Sequence, residues 1–298
     1  MNSAAQWTMT LRGAVVGGTE CGDWEGHPVL AFHGAPGSHV EAAAFAEAAA
    51  VAAGVRLIAI DRPGIGLSGM ATRRRVIDWA DTVAEVADGF GLDRFAVLGA
   101  SGGGPYAMAC ARRIPDRVSS AVLVSSPAPF DERSGDANVD GSKPAGGLMI
   151  LRRFPFLARP VSARMAAVTR KPRGLMALIA RMSPTDRARI ADDEELLGKI
   201  ADNVHMAFAQ GSRGVAADMQ ALFGRPWGFD PADITVPVHI WHGDDDANVP
   251  VADARRLADA LPNRRLDIIP GTGHLLFVDH AAAILDSIAD GGPESASR

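Results

Sequence analysis

A mostly parallel central sheet with helices on both faces and an inserted helical cap, an α/β architecture, is the fold class this sequence predicts. Three observations carry it. Short apolar runs alternate with helical-period segments over residues 28–124 and again from residue 236 onward, the pattern of parallel strands joined by crossover helices. Glycines and polar residues gather at the carboxyl ends of the apolar runs, as in His33-Gly34-Ala35-Pro36-Gly37-Ser38 after Pro28-Val29-Leu30-Ala31-Phe32. Between about Pro127 and Trp227 the chain turns rich in Pro, Met and Arg, with apolar residues at helical spacing and no strong strand.

Taken in order, residues 7–21 read as two short strands with glycine turns at Gly13 and Gly17-Gly18, an antiparallel hairpin. Residues 28–32 form a buried strand and the alanine-rich residues 40–53 a helix. Residues 55–60 form the next strand, which ends in Asp61-Arg62-Pro63-Gly64-Ile65-Gly66-Leu67-Ser68. A helix over residues 76–90 leads to a strand at 94–98, a helix at 105–113 and a strand at 118–124. After the helical interval come a strand at 236–241, a helix at 251–261, a strand at 265–269 and a helix following His274. The resulting division is a core of residues 1–127 and 228–290, a helical cap of residues 128–227, and a disordered tail of residues 291–298. No internal repeat is visible.

Composition narrows the function classes. A chain of 298 residues that is 47% hydrophobic and 22% charged, with a formal net charge of −5, is a globular protein without the basic excess of a nucleic-acid binder. The amino terminus has no basic start followed by an apolar stretch, and no apolar run reaches membrane-spanning length, so the expectation is a cytoplasmic protein with no membrane span. Cys21 and Cys110 are too few for a disulfide framework and are expected to be reduced thiols without a catalytic role. The sequence holds no H-E-x-x-H, C-x-x-C or G-x-x-x-x-G-K-[S/T], and Asp244-Asp245-Asp246 lacks the spacing of a calcium loop, so neither metal nor cofactor is expected.

Chemistry concentrates at Leu98-Gly99-Ala100-Ser101-Gly102-Gly103-Gly104, a serine set in glycines between a predicted strand and a predicted helix. So sharp a turn brings strand and helix close, and the positions two before and two after the serine, Gly99 and Gly103, must lack bulk. A serine hydroxyl is a weak nucleophile at neutral pH and needs a base and a group to orient that base. Both are available downstream, in Gly243-Asp244-Asp245-Asp246-Ala247-Asn248-Val249-Pro250 and in Gly271-Thr272-Gly273-His274, each after a predicted strand.

Four motifs in register, H-G-A-P-G at His33, D-R-P-G-I-G-L-S at Asp61, G-A-S-G-G at Gly99 and the paired Asp and His segments, make the chain resemble an α/β-hydrolase-fold enzyme of the capped serine esterase and C–C hydrolase type. The resemblance spans nearly the whole chain except the cap. It implies Ser101 as nucleophile, His274 as general base and then acid, and Asp246 as the carboxylate that holds the imidazole. In similar enzymes the acid stands three positions after the strand-end glycine and three before the valine of the V-P pair, which selects Asp246 over its two neighbours. The alternative acid position after the preceding strand holds Ser125-Ser126. Oxyanion donors are expected from the main-chain N–H of Gly102, at the positive end of a helix, and from that of Ala35.

The remaining polar residues carry less. His27, His205 and His280 lie in no motif, His239 alternates within a strand, and His33 and His242 precede strand-end glycines where an imidazole usually bonds a loop. Asp61 with Arg62 points to a structural role beside the turns at Gly64 and Gly66. Residues 152–189 carry Arg152, Arg153, Arg159, Arg164, Arg170, Lys171, Arg173, Arg181, Arg187 and Arg189 against the single acidic Asp186. Such cations could meet a substrate carboxylate or phosphate, or an anionic surface, but arginine runs more often form a solvated face. Leu148, Met149, Ile150, Met165, Met176 and Met182 are expected to form the cap's core and in part roof an apolar pocket. Asp192-Asp193-Glu194-Glu195 could take a substrate amine or form a solvated turn.

The expected activity is therefore that of a serine hydrolase cleaving an ester or related carbonyl bond of a small, partly apolar substrate through an acyl-enzyme. C–C bond hydrolase, lactonase, aminopeptidase and acyltransferase chemistry share the triad, and a ligand-binding receptor or pseudoenzyme of the same fold is the non-enzymatic alternative. Dehalogenases and epoxide hydrolases of this fold place an aspartate where Ser101 stands.

Overall fold

The computed structural model describes residues 4–71, 75–129, 151 and 153–289. The elements run β1 (Ala5–Leu11), β2 (Ala14–Gly22), β3 (His27–Phe32), α1 (Val40–Ala52), β4 (Val55–Ile60), α2 (Trp79–Gly89), β5 (Phe95–Ala100), α3 (Gly104–Arg113) and β6 (Val118–Val124). Among the described residues there follow α4 (Ala158–Thr169), α5 (Pro172–Ile179), α6 (Pro184–Ala191), α7 (Glu194–Ala207) and α8 (Arg213–Phe223). The chain closes with β7 (Val238–Gly243), α9 (Val251–Ala260), β8 (Arg264–Ile269) and α10 (Leu276–Ala289). Among the described residues no strand lies between β6 and β7.

The eight strands form one sheet in the order β1-β2-β4-β3-β5-β6-β7-β8. The pairs β1 with β2 and β2 with β4 are antiparallel and the others parallel. Strand periodicity builds two cores. Leu30 and Phe32 of β3, Ile58 and Ile60 of β4, and Phe95 and Val97 of β5 enter one apolar cluster with α2, α3, α8 and α9. Their alternates Val29, Ala31, Leu57, Ala59, Ala96 and Leu98 enter the other, against α1 and α10. Both faces are thus covered, which is why the central strands read as continuous apolar runs.

Several features differ from the sequence reading. Gly17-Gly18, expected as a turn, stand inside β2 opposite Thr8 and Trp7, where a Cβ on Gly18 would run into the Ala59 carbonyl of β4. β7 lies at Val238–Gly243 rather than 236–241, because Val238 is the first residue after Pro237 that can donate into the ladder, and His242 and Gly243 still pair with Ile268 and Ile269. The helix expected over 76–90 opens as a single tight turn, Val76–Asp78, before α2 begins. The proposed tail of residues 291–298 and the cap residues Leu148, Met149, Ile150 and Arg152 lie outside the described residues.

The chain passes from β3 outward to β4, then crosses back to β5 on the other side of β3. Loops leaving the carboxyl ends of β3 and β5 therefore diverge to opposite faces and leave a crevice between them, the place where open α/β sheets bind ligands. The β3 loop begins at His33 and the β5 turn at Ser101.

Candidate active site

β5 delivers Ser101 to this crevice on a turn with little room. A Cβ on Gly99 would stand 2.5 Å from the Gly103 carbonyl oxygen, and one on Gly103 would run into the Phe32 carbonyl of β3. Ser101 itself has φ +48°, in the left-handed region that a side chain rarely adopts. The strained serine is held by the strand behind it and α3 in front.

His274 stands between β8 and α10. Its Nε2 lies 3.0 Å from Ser101 Oγ and its Nδ1 2.8 Å from Asp246 Oδ2. Asp246 follows β7, and its other oxygen accepts the N–H groups of Asn248 and Val249, both at 2.8 Å. An ionised carboxylate accepts only, so Nδ1 carries the proton it donates to Asp246, and Nε2 is left to accept from the Ser101 hydroxyl. Burial would raise the Asp246 carboxyl, but His274, His242 and the Val249 N–H hold it below its ordinary value. For His274, burial favours the neutral form, but Asp246, Asp186 and Glu41 together lift its pKa above the ordinary value.

The other two aspartates of the run have different partners. Asp244 accepts the Gly271 N–H at 2.7 Å, and Asp245 accepts the Thr185 hydroxyl of α6 at 2.7 Å. Ala35 and Gly102 face each other across the crevice: a Cβ on Gly102 would lie 3.3 Å from the Ala35 nitrogen. Among the described residues the Ala35 N–H has no protein acceptor. The structure thus brings Ser101, His274, Asp246, Ala35 and Gly102 to one place.

The β3 loop is braced from below. Arg62 is fully buried; its guanidinium donates to the His33 carbonyl at 2.6 Å, to the Gly34 carbonyl at 2.8 Å and to both oxygens of Asp218 on α8 at 2.8 Å. The Tyr106 hydroxyl donates to Asp218 at 2.7 Å. Glu41 of α1 accepts the Gly34 N–H and an amide N–H of Asn203 on α7, each at 3.1 Å, and burial pushes its pKa up. Asp61 accepts the His39 N–H at 2.7 Å, lies 2.6 Å from His39 Nδ1, and accepts the Leu67 N–H at 2.8 Å.

Sequence reasoning did not single out Glu41, His39, Asn203 or Asp218, whose helix and loop positions have no motif around them. Asp186 did carry a signal, as the lone carboxylate of a basic stretch. Among that stretch Arg153, Arg159, Arg164, Arg170, Lys171, Arg173 and Arg181 are exposed, whereas Arg189 pairs with Asp193 and Asp279. Asp193 also caps α7 by accepting the Leu196 N–H at 2.8 Å. His33, His239 and His242 bond Gly34, Asp267 and Val249. Cys21 and Cys110 are buried and unpaired, and burial pushes the Cys21 thiol up to about 12.

Residues 27–281 match a family model described as the alpha/beta hydrolase fold. The chain belongs to the alpha/beta hydrolase family. It is 32% identical over 232 residues to a non-heme chloroperoxidase of Streptomyces lividans, covering 76% of this chain and 78% of that one. It is 25% identical over 243 residues to the pimeloyl-[acyl-carrier protein] methyl ester esterase of Aromatoleum aromaticum, covering 80% and 89%. The enol-lactonase of Burkholderia xenovorans LB400 superposes with a TM-score of 0.71 at 19% identity, over 95% of this chain and 98% of that one, a likeness of fold. The family and its esterase member support hydrolase activity for this alpha/beta hydrolase. Among its described residues no helix is long and apolar enough to cross a membrane.

Proposed function

We propose that the protein is a serine hydrolase that cleaves an ester or related carbonyl bond of a small, partly apolar substrate through an acyl-enzyme. The observation that carries this reading is the hydrogen-bonded line from Ser101 Oγ through His274 to Asp246, at 3.0 and 2.8 Å. In the first step Ser101 Oγ attacks the carbonyl carbon while its proton passes to His274 Nε2, and Asp246 stabilises the imidazolium. The carbonyl oxygen becomes an oxyanion against the N–H groups of Ala35 and Gly102, each such donor being worth about 3 kcal/mol in the transition state. His274 then gives the proton to the leaving group, and a water activated by the same imidazole releases the acid. The described helices between β6 and β7 belong to a cap, residues 128–227, whose α6, α7 and α8 contact the loops of the site.

A fluorophosphonate probe tests the reading. It is expected to label the wild type on Ser101, and Ser101→Ala is expected to lose both labelling and hydrolysis of a p-nitrophenyl ester. Undiminished turnover by Ser101→Ala would refute the mechanism.

A further inference from the structure

The geometry points to Asp186, on α6 of the helical segment, as a positioning residue for the reaction: its carboxylate fixes the loop that carries His274, tying the placement of the base to the docking of α6. This rests on the triad reading above. Asp186 is 2% exposed. Its Oδ2 accepts the His274 N–H at 2.9 Å, its Oδ1 the Leu275 N–H at 3.0 Å, and Oδ2 also the Ser183 hydroxyl at 3.0 Å.

Those two N–H groups stand at the start of α10, which begins at Leu276. A helix start presents unpaired N–H groups and the positive end of the peptide dipoles, and a carboxylate there is favoured on both counts. Such a carboxylate usually comes from the residue that precedes the helix. Here the residue before the helix is Leu275, whose side chain has no oxygen, and the one before that is His274, whose imidazole is committed to Ser101 and Asp246, so the carboxylate arrives from 88 positions before His274 in the chain. The loop is shaped for it: a Cβ on Gly273 would run into the Asp186 carboxyl group.

α6 holds the acid's loop as well. Thr185, the neighbour of Asp186, donates its hydroxyl to Asp245, one residue before Asp246. Two consecutive residues of one cap helix therefore hold the loops of base and acid at their observed spacing. Misplacement of a reacting group by about 1 Å can cost on the order of 100-fold in rate.

The same carboxylate acts on the titration of His274. The charged and titratable groups facing that imidazole are Asp246 after β7, His242 at the end of β7, Glu41 on α1 and Asp186 on α6. Removing the Asp186 charge takes away one of three carboxylates that favour the imidazolium, so the pH at which His274 becomes an active base moves down.

The test uses the full chain and the second-order rate of fluorophosphonate labelling from pH 5 to 9, a readout that does not depend on knowing the substrate. Asp186→Asn keeps the shape and one acceptor oxygen but not the charge; its labelling is expected to slow about 10-fold or more on the plateau, with the acid limb shifted to lower pH. Gly273→Ala, which presses on the same carboxylate from the loop side, is expected to slow labelling without altering a triad side chain. Asp186→Glu is expected to recover the acid limb more than the rate. If Asp186→Asn labels within twofold of wild type with an unmoved limb, or shows only a lower melting temperature, Asp186 merely fastens the helix and the inference falls. Ser101→Ala run alongside separates the two readings: an active Ser101→Ala refutes the triad, whereas an inert Ser101→Ala beside a wild-type-like Asp186→Asn refutes only the role of Asp186.

Discussion

The guanidinium of Arg62 meets the carboxylate of Asp218 through two hydrogen bonds of 2.8 Å, with neither side chain more than 1% exposed. The pair joins the turn after β4 to α8, and the remaining guanidinium bonds hold the carbonyls of His33 and Gly34. Removing one member strands a buried charge, at a cost of about 3–5 kcal/mol. Arg62→Met and Asp218→Leu are each expected to lose that much in urea unfolding, and the double variant is expected to lose less than the sum. Additive losses would show that the two side chains do not depend on each other.

The elbow glycines are predicted to be far less tolerant than glycines chosen only for their backbone angle. Gly103→Ala drives a methyl group into the Phe32 carbonyl. Overpacking of that kind costs about 1–3 kcal/mol or more, because neither strand nor helix can give way. Gly54 has φ +62°, and a Cβ there meets nothing among the described residues within 4 Å. Gly54→Ala is expected to cost only the left-handed conformation, about 1–2 kcal/mol. Thermal midpoints should rank Gly103→Ala below Gly54→Ala, and the reverse order would contradict the close packing of the elbow.

The fold was legible because strands covered on both faces print themselves as nearly continuous apolar runs; Val55-Arg56-Leu57-Ile58-Ala59-Ile60, interrupted by Arg56 alone, coincides with β4 residue for residue. Ser101 was legible because a sharp strand-end turn forces glycines into the sequence around it, whereas Asp246 and His274 were read from the resemblance that the four motifs carry. The supports of the candidate triad were not legible. Asp186 and Asp218 act across 88 and 156 positions of chain, and no local pattern marks which face of α6 or α8 a carboxylate will occupy. The boundary at β7 was misplaced because Val236 and Pro237 are apolar and buried or nearly so, yet stand before the first ladder bond.

His33 sets a limit on stability in acid. Its Nδ1–H donates to the Gly34 carbonyl at 2.8 Å and its Nε2 accepts the Arg62 main-chain N–H at 3.3 Å, an arrangement only the neutral ring can make. Burial, with Arg62 adding to it, pushes its pKa down to about 3. Unfolded, the ring titrates near the ordinary 6.5. Between those values the unfolded chain binds a proton that the folded one refuses, so stability falls as pH falls, by about 1.4 kcal/mol per pH unit from this group. His33→Gln, which can supply one donor and one acceptor, is expected to flatten the decline in urea-unfolding free energy between pH 6 and pH 4. An unchanged slope would place the acid sensitivity elsewhere.

His274 carries the opposite sign. Burial would depress it, but the carboxylates of Asp246, Asp186 and Glu41 lift its pKa above the ordinary 6.5. In the proposed mechanism His274 must be neutral to accept the Ser101 proton, so kcat/KM is expected to rise with pH along a limb whose midpoint lies above 6.5. Asp246→Asn removes the nearest charge and no longer fixes the proton on Nδ1, because an amide can turn its N–H toward the ring. The limb should then move to lower pH while the plateau falls on the order of 10⁴-fold, since most molecules hold the wrong tautomer. A lower plateau with an unmoved limb would mean that the acid limb belongs to a group other than His274. A moved limb with an undiminished plateau would mean that Asp246 tunes the base without orienting it.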